Sequence, residues 1–261
     1  MENSENNLAE EIIAELNDIE SLKNQIENTE LKMLKSDEMN WDEKQSLKSS
    51  IDQSKKEIEK LEKIAEAIES ITEQAEKHKL LSPKMLEKFK ELSRLVNEIM
   101  PKDMMNNIDD LEMALENMDM DSIQDALSQL SEDMEKIEKD LDRYLEIFKR
   151  FQAEQKLDEI QNRLQNLIEQ QGALDNEIDR VNENPSSMDR LAQEEQRNLD
   201  EFENIQSLVE DASEMIEQFN KNTANELSEL SESELSENIM QNLSDIVQNL
   251  SNRNNQDAVA K

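Results

Sequence analysis

Residues 122–157 read SIQDALSQLSEDMEKIEKDLDRYLEIFKRFQAEQKL, and nine apolar side chains recur in them at alternating steps of four and three. They are Ile123, Leu127, Leu130, Met134, Ile137, Leu141, Tyr144, Phe148 and Phe151. A helix repeats about every 3.6 residues, so this spacing lays one continuous stripe along one helical face. No glycine or proline interrupts it. The spacing predicts one helix of about 60 residues from Ser122, roughly 90 Å long at 1.5 Å per residue. After Phe151 the stripe fails at Gln155 and Asp158. It resumes two residues out of phase, through Leu157, Ile160, Leu164, Leu167, Gln171, Leu174, Ile178 and Val181. A change of phase rotates the buried face and predicts a change of partner.

The rest of the chain follows the same grammar. A first helix is expected over about Glu5–Lys35, with a stripe of Leu8, Ile12, Leu16, Ile19, Ile26 and Met33. A break follows at Ser36–Asn40, and Asn40 with Glu43 forms a capping-box signature. The second helix is expected over Trp41–Lys79, on Leu47, Ile51, Ser54, Ile58, Leu61, Ala65, Ile68, Thr72 and Ala75. Ser82–Pro83 starts a third, because the serine can cap and proline is tolerated in the first turn. Its stripe is Leu86, Phe89, Leu92, Val96 and Met100, ended or kinked by Pro101. Met104, Ile108, Leu111, Leu115 and Met118 continue the seam, and Asp121 with Gln124 is read as the cap of the long helix. Asn184–Pro185 ends that helix. Ser186 or Ser187 then caps one carrying Met188, Leu191, Leu199, Phe202, Ile205, Val209, Ala212, Ile216 and Phe219. Leu-Ser-Glu repeats at 227, 230 and 235 lead to a last short seam of Ile239, Leu243, Ile246 and Leu250.

The fold class expected is therefore all-α, an elongated antiparallel coiled coil or helical bundle of long helices. The organisation expected is an N-terminal hairpin over 1–80, a kinked pair plus long helix over 81–184, acidic helices over 185–250 and a disordered tail over 251–261. Residues 83–118 and 122–157 are equally long and joined by a short connection, which favours neighbours folded back on each other. In that arrangement Leu86 and Phe89 meet Phe148 and Phe151. Around the crossover the apolar band is widest, at Tyr144, Leu145, Ile147, Phe148 and Phe151. A two-stranded seam needs only two positions per heptad, so a third helix or a second subunit is expected over this girdle. These five residues are the candidate interaction site.

Composition narrows function. The 261 residues include one Gly, three Pro, no Cys and one His, and the formal net charge is −35. One glycine cannot build a phosphate-cradling loop, and no cysteine means no thiolate metal site. From Asn198 to Asn252 there are thirteen acidic residues and a single base, Lys221. Such a surface repels nucleic acid and anionic lipid and can attract basic proteins or divalent cations, weakly and unspecifically. No apolar run approaches the roughly 20 residues of a membrane-spanning helix. The polar, acidic stretch Met1–Asn7 is not read as a signal peptide. His78, between Lys77 and Lys79 near a helix end, reads as a solvated side chain at the negative end of the helix dipole. The acidic pairs have no EF-hand spacing. Lys149-Arg150 beside Phe148 and Phe151 reads as snorkelling cations. The fourteen Met residues, clustered at Met104, Met105, Met113, Met118 and Met120, read as core filling, with adaptable binding of partner helices as the alternative. Gln171-Gly172 places a polar residue and a helix-weakening glycine inside a seam. No catalytic residue, cofactor or metal site is expected.

Two stretches carry a resemblance: SPKMLEKFKELSRLVNEIMP at 82–101 and LDRYLEIFKRFQAEQKLDEI at 141–160. Over about residues 80–185 the chain resembles the helical middle region of a family of large, uncharacterised bacterial proteins. Those are anchored by transmembrane helices near the N-terminus and continue into Gln- and Glu-rich coiled coils. The resemblance implies envelope association and no catalytic activity. This chain has no such anchor, which fits a soluble part or a fragment, cytoplasmic or envelope-associated. The function expected is a non-catalytic scaffold, spacer or interaction module that meets protein partners or itself through helices. The alternative is an acidic chaperone-like or mimic protein holding basic partners.

Overall fold

The structure, a computed structural model, describes residues 2–33, 39–79, 81–99, 104–178 and 185–252. Among these the chain is all-α, and its regular elements are helices: α1 Glu2–Met33, α2 Trp41–His78, α3 Pro83–Ile99, α4 Met104–Asn117, α5 Met120–Ile178, α6 Pro185–Glu217, α7 Lys221–Ser231 and α8 Glu234–Ser251. They fall into two compact units, Met1–Phe151 and Gln152–Lys261. The 59-residue α5 gives its residues 120–151 to the first and 152–178 to the second.

Local chemistry sets the helix ends. Asn40 accepts a hydrogen bond from the Glu43 N–H at 3.0 Å, and the Glu43 carboxylate accepts from the Asn40 N–H at 2.9 Å, so the expected capping box is formed. Lys79 closes α2 in the left-handed region at φ 52°. Ser82 accepts from the Met85 N–H ahead of α3. The start of α5 departs from expectation. The cap is Asp119, which accepts from the Ser122 N–H and hydroxyl, so the helix begins at Met120 without the Asp121–Gln124 box. Met118, expected in the seam, instead takes φ 55° to end α4 and is exposed. Asn220 caps α7 and Ser233 caps α8. Ser251 still belongs to α8 and Asn252 caps it, so the tail expected from 251 starts with two ordered residues. The rest of that tail, and the expected features at Met100, Pro101, Val181 and Asn184, lie outside the described residues.

In the first unit one core joins α1, α2, α3, α4 and α5. Its α1 stripe is Leu8, Ile12, Glu15, Ile19, Leu22, Ile26, Thr29 and Met33, a strict alternation of four and three. Leu16 is only partly buried and Glu15 holds the seam position. In α3 Met85 takes the buried place expected for Leu86. Contacts of α2 with α3 and α4 run in opposite sequence order, Lys55 meeting Glu112 of α4 and Glu76 meeting Lys90 of α3. Lys60 of α2 meets Asp18 of α1. Asn107 of α4 donates to Asp133 of α5, and Phe89 stacks on Phe151.

In the second unit α6 and residues 152–178 of α5 also pair in opposite order, Lys156 with Asp211, Arg163 with Glu201 and Arg190 with Glu177. The core is built from Ile160, Leu167, Leu199, Phe202, Ile205 and Leu243. A second patch holds Leu174, Ile178, Met188, Leu191, Ile246 and Leu250, so α8 covers both partners.

Candidate functional site

The expected girdle is interior. Tyr144, Leu145, Phe148 and Phe151 are buried, and Ile147 packs against the same core. Phe89 lies on Phe151, and Tyr144 stacks on Phe148 with centroids 6.2 Å apart. From α3 of the same unit, Leu95 and Ile99 lie around Tyr144 and Ile147, as Phe89 lies on Phe151. The Tyr144 hydroxyl is buried without a hydrogen-bond partner, and burial pushes its pKa up. It borders a cleft of about 170 Å³ lined by Leu95, Ile99, Asp140, Arg143 and Ile147 among others.

Three buried carboxylates mark sites that the apolar pattern conceals. Glu15 is 2% exposed and sits on the α1 seam; Glu57 of α2 is likewise buried. The Lys60 ammonium reaches Glu57 at 2.5 Å, Asp18 at 2.6 Å and Glu15 at 3.6 Å. One cation thus faces three carboxyl groups. Burial, then the neighbouring Glu57 charge, raise the Glu15 pKa to about 8 against the pull of Lys60. Desolvation, the largest influence on Lys60, favours its neutral form; hydrogen bonds to Asp18 and Glu57 outweigh it and hold the pKa above the usual value. Oxygens of Glu15, Asp18 and Glu57 lie within 4.8 Å of one another, a spacing suited to a hard cation. The ammonium occupies that role here.

Glu195 is the third, 0% exposed on α6. Gln171 of α5 donates to it at 3.3 Å and to Asp175 at 3.1 Å, while Asn198 donates to the Gln171 carbonyl oxygen at 2.8 Å. One Glu195 oxygen has no hydrogen-bond partner. Burial raises its pKa to about 7, with the Gln171 and Asn198 hydrogen bonds working the other way. Glu195 stands where the apolar stripe skips a beat, between Leu191 and Leu199, and Glu15 takes the place in the stripe that Leu16 was expected to hold. Counting positions rather than apolar residues finds them.

The second unit also leaves an apolar groove open, of about 170 Å³. Buried Phe202, Ile205 and Val209 line it with the half-buried Leu164. Leu230 at 57%, Leu235 at 63% and Ile239 at 37% exposure complete it. Next to these lining residues in sequence stand Glu203, Glu210, Glu229, Glu232, Glu234 and Glu237, all exposed acids. His78 is exposed in the last turn of α2, and Arg150 pairs with Glu146. Among the described residues no helix is long and apolar enough to cross a membrane.

Comparison with protein families, with curated proteins and with solved structures finds no match to this chain.

Proposed function

We propose that the chain is a non-catalytic scaffold and protein-interaction module built from antiparallel coiled-coil segments. The carrying observation is a contrast inside the second unit. Its seams are filled by its own helices, yet one apolar groove stays open between acidic flanks. A lone exposed leucine needs no explanation, but several around one concavity mark a contact surface. The resemblance over residues 80–185 supports placing the module in a membrane-anchored envelope assembly. The acidity, thirteen acids to one base over 198–252, favours a second reading, a holder of basic client proteins.

Immobilised chain, challenged with cell extract at low and at high salt, separates the two. A scaffold keeps a discrete, stoichiometric partner when screening is strong. A holder of basic clients releases them, because exposed charges act over only about 10 Å at 0.1 M salt. Retention of nothing at either salt overturns both readings.

A further inference from the structure

The open groove has a volume, a lining and a charge, and together they select an occupant. Its volume, about 170 Å³, lies below the range of roughly 300–1,000 Å³ typical of small-molecule sites. It suits side-chain anchors. The lining offers leucine, isoleucine, valine and phenylalanine surface and little that would orient a polar ligand. Helices that dock in grooves present such anchors at steps of three and four.

The flanks carry one sign. Leu230 stands between Glu229 and Glu232, Leu235 follows Glu234, and Glu237 precedes Ile239 by two residues. Glu203 and Glu210 lie on α6 beside Phe202 and Val209. Arg163, next to Leu164 in sequence, is already paired with Glu159 and Glu201. Lys221 is the single base between 198 and 252. A second copy of the chain would bring acid against acid, since each copy carries −35. An anionic lipid surface meets the same repulsion.

Resting on the interaction-module reading, we propose that this groove seats one amphipathic helix of a basic partner protein. Apolar side chains of that helix enter between Phe202, Ile205 and Leu235. Its flanking lysines and arginines face Glu203, Glu229, Glu232 and Glu234. The apolar contact sets the lifetime of the complex, and the acidic flanks set its rate of formation and its salt dependence.

The test uses the full chain and three labelled peptides, followed by fluorescence anisotropy. One has a leucine face with lysine and arginine flanks, one the same face with glutamate flanks, and one the basic flanks with serine for leucine. The first is expected to bind one per chain and to weaken as salt rises. The other two are expected to bind at least tenfold more weakly. Leu230→Ser with Leu235→Ser changes only exposed positions, so helicity is retained while affinity falls about tenfold or more. Glu229→Gln, Glu232→Gln and Glu234→Gln together flatten the salt dependence. Equal binding of the serine peptide, or undiminished binding by the double serine variant, overturns the proposal. So does the absence of binding by the first peptide. Binding to anionic vesicles that the serine changes abolish would reassign the groove to lipid and overturn it too. If the double serine variant still retains its extract partners at high salt, the groove is excluded while the scaffold reading stands.

Discussion

The ring of Phe89 lies on the ring of Phe151, with centroids 5.1 Å apart and planes 19° from parallel. The first residue belongs to α3 and the second closes the part of α5 that belongs to the first unit. Between them the chain runs through α4 and the turn at Met118, and the Asn107–Asp133 hydrogen bond of 2.7 Å ties the middle of that excursion. The contact brings together Phe89 and Phe151, two residues that the equal lengths of 83–118 and 122–157 suggest as neighbours. Stacked rings couple by about 0.5–1.5 kcal/mol beyond their buried area. A double-mutant cycle with Phe89→Leu and Phe151→Leu, read by urea unfolding, is expected to return a coupling of that size. Additivity within error would show that the rings contribute only their separate burial.

Phe148 has no exposed surface and touches Tyr144 along the same helix. Phe148→Ala is expected to destabilise the first unit by about 3–5 kcal/mol through lost burial and the cavity left behind. Unchanged urea unfolding would mean that the girdle is not covered in solution.

Two buried carboxyl groups are expected to make the stability of the chain fall as pH rises. The Glu15 pKa stands at about 8 and the Glu195 pKa at about 7, both raised, so the folded state holds these protons more tightly than the unfolded chain. Their stabilisation is complete below the ordinary glutamate value and is lost as pH rises through about 7 and 8. Glu112 and Glu135, lowered by their hydrogen bonds to Lys55 and Lys139, act with the opposite sign and only in acid. The melting temperature is therefore expected to fall between about pH 5.5 and 8.5. Glu15→Gln should flatten this for the first unit and Glu195→Gln for the second. A slope indifferent to both changes would place the protons elsewhere.

Lys60→Met leaves Glu15 and Glu57 buried without their cation. Breaking a buried pair costs about 3–5 kcal/mol, and the half-exposed Lys60 places this case toward the lower figure. Calorimetry should show the loss at pH 8 and a smaller one at pH 5.5, where protonation replaces the cation. An equal loss at both would assign the effect to the lysine stem rather than its charge.

Gly172 lies inside α5, and a Cβ built on it meets nothing within 4 Å. Helix propensity then acts unopposed. Gly172→Ala is expected to stabilise by about 0.5–1 kcal/mol, measured by urea unfolding. A loss of stability would show that the position needs its flexibility.

The all-α class, the cap at Asn40 and the span of α5 were legible because each rests on local chemistry: spacing, a capping side chain and the lack of breakers. Glu15, Glu57 and Glu195 were not, since their types argue for solvent and only their positions argue for burial. Partner geometry decides such cases, as Lys60 does for Glu15 and Gln171 for Glu195. Met118 was misplaced for a related reason. Its side chain suits a seam, but the chain had to reverse direction there, and Met118 took the left-handed conformation that glycine usually supplies. The groove was illegible for a third reason. Leu230 and Leu235 belong to a Leu-Ser-Glu repeat and Ile239 to a short seam, and nothing in the spacing says that all three stay uncovered.

The knot of Gln171, Glu195 and Asn198 puts a buried mark on the ruler along which α5 and α6 align. Long apolar helices can slide past one another by whole heptads, about 10 Å at a time, and still match leucine to leucine. Moved by one such step, Glu195 would face Leu164 or Ile178 and its carboxyl group would have no amide to meet. Each wrong alignment is thereby made short-lived, and the chain can afford a repetitive sequence without becoming lost along its own length.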